Sequence, residues 1–143
     1  MKINYFAYGP NINHDFMKKN CPNAKPLGVG YIKDYALSFV GYAGNAIATI
    51  IQKPGSTVPV LVWEIEKDER ALILNQTTLP LSYKSEEIKA QFNSETIKGF
   101  VYLPRNPLNS NVPDEKYFEI IKQGYEQNGL DSSVLYDALS CAT

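Results

Sequence analysis

The chain has 143 residues, a length that fits one domain with a hydrophobic core of its own. Its 14 Lys and Arg against 15 Asp and Glu give a formal charge of −1, which argues against a basic nucleic-acid surface and a polybasic membrane surface. A hydrophobic fraction of 44% excludes a disordered chain.

Targeting and metal-binding patterns are also missing from the sequence. No apolar run approaches the ~18 residues of a membrane-spanning helix, and the first residues lack the apolar core of a secretion signal. Cys21 and Cys141 form no CxxC pattern and are expected to be reduced thiols, although a disulfide between them stays open. Because His14 is the single histidine, a histidine-based metal site is excluded. We therefore expect a cytoplasmic protein that contacts neither membrane nor nucleic acid.

The first part of the chain predicts strands and one short helix. Residues 3–7 are apolar and aromatic and indicate a strand, which ends in a turn at residues 8–11, where glycine permits positive φ and proline fixes φ. Residues 13–19 predict a helix with Asn13 as its N-cap. Residues 24–40 return to strand character, with breaks expected at Pro26 and Gly28.

The middle predicts two strands and a helix. Residues 46–51 form an apolar run typical of a strand covered on both faces. Residues 54–56 indicate a turn, and residues 58–65 a further strand that Pro59 confines to an edge or a bulged start. Residues 66–75 place polar side chains on one face and apolar side chains on the other at helical spacing, which predicts a helix.

The last part predicts two strands and two helices. Residues 76–82 are a polar connection, residues 83–92 a solvent-exposed strand and residues 99–103 a clear strand, followed by a loop to residue 113. Residues 117–127 predict a helix with Asp114 as its N-cap and Gly129 just past its end. Residues 130–139 predict a last short helix. Without a regular βαβ repeat or a linker, the pattern predicts a single α+β domain over residues 1–143.

Residues 5–12, YFAYGPNI, resemble the YFAYGSN signature that opens the gamma-glutamylcyclotransferase (AIG2-like) family. The similarity continues in order through four further segments of the chain: residues 31–39, 46–50, 58–65 and 117–130. The resemblance implies the family fold, a small mixed β-barrel with helices packed around it.

The resemblance also implies a reaction that needs no cofactor or metal. The family cyclises a γ-glutamyl group: the substrate's α-amine attacks its own γ-amide carbonyl, which gives 5-oxoproline and a free amine or amino acid. The reaction needs a folded near-attack conformer, a carboxylate base for the α-ammonium and hydrogen-bond donors for the oxyanion. The implied partner is thus a small γ-glutamyl or glutamyl-like molecule, while the oligomeric state stays open.

The family pattern assigns site residues to this chain. A loop after the first strand holds the glutamyl group, and a tyrosine farther along the chain lines the pocket. The implied substrate-binding residues are Tyr8, Gly9, Pro10, Asn11, Ile12 and Tyr83.

The family's catalytic glutamate has no counterpart here. Anchoring the segment on residues 74–75 places Thr78 at the glutamate position, whereas counting from Trp63 places Thr77 there. A threonine hydroxyl is no base near pH 7, and loss of a general base costs about 10²–10⁴-fold in rate. Glu64 is a weak substitute candidate, and His14 a weaker one, since both are more typical of surface residues.

Two further departures fall on the implied pocket. Pro10 stands where the family has serine and therefore provides no N–H, a loss that in an oxyanion cradle costs about 3 kcal/mol. Val60 stands where glycine is common, so its side chain is expected to narrow the site.

Three functions remain open from the sequence. The first is a cyclotransferase with an altered or relocated base, and the second is an inactive pocket that binds a glutamyl-like ligand. The third is an interaction domain without a ligand. Assays for 5-oxoproline and for ligand binding separate the three.

Overall fold

The computed structural model describes residues 1–74, 83–105 and 108–142. Five strands occupy most of these residues: β1 Lys2–Ala7, β2 Lys25–Val40, β3 Ile47–Glu66, β4 Tyr83–Phe92 and β5 Glu95–Pro104. The α-helices are α1 His14–Asn20, α2 Arg70–Leu74, α3 Glu115–Gln127 and α4 Ser133–Cys141. Short 3₁₀ turns at Pro10–Ile12 and Lys67–Glu69 precede α1 and α2.

The strands close into a barrel in the order β1-β3-β2-β4-β5. β1 pairs with β5 in parallel, and the other neighbours are antiparallel. This confirms the predicted mixed barrel with surrounding helices. Trp63, Phe6 and Phe39 lie fully buried in the core.

The two longest strands differ from the prediction. The breaks expected at Pro26 and Gly28 are wrong, since β2 continues through both and only its register with β3 shifts there. The two strands expected at residues 46–51 and 58–65 form one strand, β3, and the predicted turn between them lies inside it. There the register shifts again, and Asp34 Oδ1 accepts a hydrogen bond of 3.0 Å from the Gly55 N–H. The turn residues therefore bulge within a continuous pair of strands.

Pro59 lies within β3 at a point where it pairs with β2 alone, because β1 ends opposite Leu61. At Pro59, β3 therefore has one side without a paired strand, so a residue without an N–H is tolerated there. This agrees with the edge position that the sequence predicts.

The helix caps are where the sequence predicts them. Asn13 accepts hydrogen bonds from the N–H groups of Asp15 and Phe16, and Asp114 caps α3 in the same way. Gly129 has φ 68° just past α3, in the left-handed region that favours glycine. The helix expected at residues 66–75 is a 3₁₀ turn followed by α2, and its last residue lies outside the described part of the chain.

Within the described residues, no helix combines the length and the apolar character that crossing a membrane requires.

Candidate functional site

A cavity of about 340 Å³ opens between the end of β1 and the start of α3. The 3₁₀ turn after β1, the start of β3 and the first turns of α3 form its walls, together with residues of α1, α2, β4 and β5. This volume is at the small end of the range for ligand pockets, which suits a molecule of amino-acid size.

The turn at residues 8–11 forms one wall of the cavity. Gly9 adopts φ −114°, so the turn does not use the positive φ that glycine permits. An added Cβ at Gly9 would lie 3.3 Å from the Ala48 Cβ, which is the close approach that favours glycine here. The turn therefore rests directly against the first residues of β3.

Buried hydrogen bonds from the barrel hold this wall in place. Trp63 Nε1 donates to the Asn11 carbonyl at 2.8 Å, and Asn11 Nδ2 donates to the Tyr5 hydroxyl at 3.0 Å. Trp63 is fully buried and Asn11 is 8% exposed. The core thus fixes the backbone of the cavity wall.

Replacing Trp63 by Phe should destabilise the protein by about 2 kcal/mol, because the buried Asn11 carbonyl loses its donor. The matched control is Tyr125→Phe, since the Tyr125 hydroxyl is buried without a hydrogen-bond partner in the described structure. Removing that hydroxyl should leave stability equal or slightly higher. Urea unfolding of both variants checks this difference, and equal losses would contradict it.

Among the described residues, five tyrosines line the cavity: Tyr5, Tyr8, Tyr83, Tyr102 and Tyr117. Burial raises the pKa of Tyr83 to about 12 and raises the pKa of Tyr5, Tyr8 and Tyr117 as well. These hydroxyls therefore stay protonated near pH 7, so they serve as hydrogen-bonding groups and not as bases.

Most of the residues that the resemblance assigns come together in this cavity. Tyr8, Gly9, Pro10, Asn11 and Tyr83 line it, whereas Ile12 is fully buried behind the wall. Thr77 and Thr78 lie outside the described residues.

The candidate substitutes for the missing base lie elsewhere. Glu64 does not line the cavity, and its Oε1 is 3.4 Å from Lys2 Nζ. His14 Nε2 lies 2.9 Å from Asn128 Oδ1, near the end of α3, and the His14 ring contacts Trp63. Val60 is fully buried and is not among the residues that line the cavity.

Asp114 is the single carboxylate among the described residues that line the cavity, which include no Lys, Arg or His. The undescribed residues, 75–82, 106–107 and 143, carry no Asp, Glu, Lys, Arg or His either. Within the described residues, no three His, Cys, Asp or Glu side chains are placed to hold a metal ion.

Sequence reasoning missed Asp114 and Tyr117 as cavity residues. Asp114 was expected only as a helix cap, and Tyr117 only as part of the apolar face of α3. Their spacing of three residues places both in the first turn of one helix, and this spacing could have indicated that they lie side by side.

No family model matches the chain. The human gamma-glutamylcyclotransferase is 31% identical over 88% of this chain and 71% of its own length. The mouse gamma-glutamylcyclotransferase is 30% identical over the same shares of the two chains. A solved gamma-glutamyl cyclotransferase structure superposes with a TM-score of 0.80 at 26% identity, over 100% of this chain and 89% of the other.

Proposed function

Because the chain belongs to the gamma-glutamylcyclotransferase family, we propose that it cyclises a small γ-glutamyl compound to 5-oxoproline in the cavity beside residues 8–12. The observation that supports this proposal best is the cavity itself, since it collects Tyr8, Gly9, Pro10, Asn11 and Tyr83 in one place. The reaction releases an amine or amino acid and uses no cofactor.

The cavity meets two physical demands of this reaction. A volume of about 340 Å³ holds a glutamyl group in a folded conformation, with its α-amine near its γ-carbonyl. The Tyr5 and Tyr117 hydroxyls accept hydrogen bonds in the cavity wall and keep their own protons to donate to the polar groups of such a ligand, although Pro10 offers no N–H of its own.

A second candidate function is a pocket that binds a glutamyl-like ligand without turning it over. The replacement of the family glutamate by Thr77 or Thr78 favours it, and so does the position of Glu64 outside the cavity. In both functions the ligand occupies the same wall of the cavity.

We place the protein in the cytoplasm, where its two cysteines would stay reduced. Cys21 and Cys141 are both free thiols, as is typical of that compartment.

Incubation with γ-glutamyl amines and γ-glutamyl dipeptides should release 5-oxoproline, detected by chromatography and mass spectrometry. Added 5-oxoproline should raise the melting temperature, because a ligand of the native state stabilises it by mass action. A thermal shift without turnover would establish the second candidate instead. Absence of both effects would reject the two functions together.

A further inference from the structure

We propose that Asp114 is the general base of this cavity, in place of the glutamate that the family uses. This inference rests on the proposed function. Its first support is the inventory of charged groups: Asp114 is the single carboxylate among the described residues that line the cavity, and residues 75–82, 106–107 and 143 contain none.

The start of α3 holds the Asp114 carboxylate in place. Its Oδ2 accepts hydrogen bonds from the N–H groups of Lys116 at 3.0 Å and Tyr117 at 3.4 Å. Asp114 is exposed, so it lies at the mouth of the cavity, where substrate and water reach it. A capping carboxylate with one oxygen held by the backbone is oriented before substrate arrives.

The first turn of α3 also contacts the wall that the family uses for the glutamyl group. The Tyr117 hydroxyl accepts a hydrogen bond of 2.8 Å from the Ala48 N–H and lies 3.8 Å from the position of a Cβ added at Gly9. Asp114 and the 3₁₀ turn at Pro10–Ile12 therefore border the same small cavity.

Two carboxylates that lie close in sequence to cavity residues, Glu64 and Glu69, have partners outside the cavity. Glu64 pairs with Lys2 and does not line the cavity, and Glu69 Oε1 accepts a 2.8 Å hydrogen bond from the Glu66 N–H. With no Lys, Arg or His among the described lining residues, no cationic side chain there competes with the substrate's α-ammonium for the Asp114 carboxylate.

The reaction balances with Asp114 as a carrier of one proton. The α-ammonium gives a proton to the Asp114 carboxylate, and the amine nitrogen then attacks the γ-carbonyl carbon to form the ring C–N bond. The C–N bond to the leaving amine breaks as Asp114 returns its proton to the leaving nitrogen. A second proton passes from the ring nitrogen to the released amine through solvent, so no proton is consumed overall.

Asp114→Asn and Asp114→Ser test this role while keeping the helix cap, because Asn and Ser cap helices as well as Asp does. Both should lower kcat/KM for a γ-glutamyl dipeptide by about 10²–10⁴-fold. Both should keep the thermal shift caused by 5-oxoproline, which has no ammonium group to contact the carboxylate. Formate should restore part of the turnover of Asp114→Gly, a variant that keeps most of the cap and leaves room for the small acid.

Asp131→Asn is the matched control, since the Asp131 carboxylate accepts a 2.9 Å hydrogen bond from the Ser133 N–H at the start of α4 and does not line the cavity. It should leave turnover unchanged. If the parent produces 5-oxoproline and Asp114→Asn and Asp114→Ser stay within threefold of it, the role of Asp114 is wrong while the proposed function stands. A parent without any turnover overturns both.

Discussion

Replacing Gly124 by Ala should lower the free energy of unfolding by about 3 kcal/mol. An added Cβ at Gly124 would lie 2.5 Å from Ile12 Cγ2, 2.7 Å from the Asn13 nitrogen and 2.8 Å from the Ile12 carbonyl carbon. Two of these atoms are backbone, so no rotation of a side chain relieves the contact. Alanine in a helix interior is normally about 1 kcal/mol more favourable than glycine, and here the clash outweighs that gain.

The same substitution should weaken the cavity, because Ile12 ends the 3₁₀ turn that forms its wall. The thermal shift caused by 5-oxoproline should shrink in Gly124→Ala. Gln123→Ala is the matched control, since Gln123 is an exposed neighbour in the same helix and should change stability by less than about 0.5 kcal/mol. Denaturant unfolding measures the free energy of unfolding and the m-value of both variants and the parent. A Gly124→Ala protein as stable as the parent would contradict this packing.

The parts of the fold that depend on local chemistry could be predicted from the sequence. Asn13, Asp114 and Gly129 act as helix caps through groups within a few residues of each other, so their roles follow from the local pattern. The continuity of β3 could not be predicted in this way. It depends on pairing with β2, where the Asp34 carboxylate accepts a hydrogen bond from the Gly55 N–H. The residues expected to break the strand therefore form a bulge within it.

The candidate site likewise has one part that the local sequence predicts and one part that depends on long-range contacts. The turn at residues 8–11 is visible in the sequence as glycine and proline after a strand, and the family signature gives it a function. That Asp114 borders this turn depends on how α3 packs, through Tyr117 against Ala48 and Gly9. Such contacts join residues about 70 to 110 positions apart, and no local spacing encodes them.

Restoring the family carboxylate should raise turnover. In the Asp114→Asn background, which lacks the base proposed for the parent, one of the two substitutions Thr77→Glu and Thr78→Glu should increase kcat/KM for a γ-glutamyl dipeptide by about 10²–10⁴-fold, because an ionised carboxylate again accepts the α-ammonium proton. Thr77→Gln and Thr78→Gln are the matched controls, since glutamine has the same shape without the charge. A gain in a glutamine variant, or no gain in either glutamate variant, would contradict the assignment of the missing base to these positions.

Combining the better glutamate variant with Asp114→Asn tests whether the two carboxylates do the same work. Two groups that take the same proton are not additive, so the loss caused by Asp114→Asn should be much smaller with the glutamate present than in the parent. An equal loss in both backgrounds would mean that Asp114 acts through something other than proton transfer, such as the position of α3. The size of this coupling therefore separates a relocated base from a structural cap, because the cap is the same in both backgrounds.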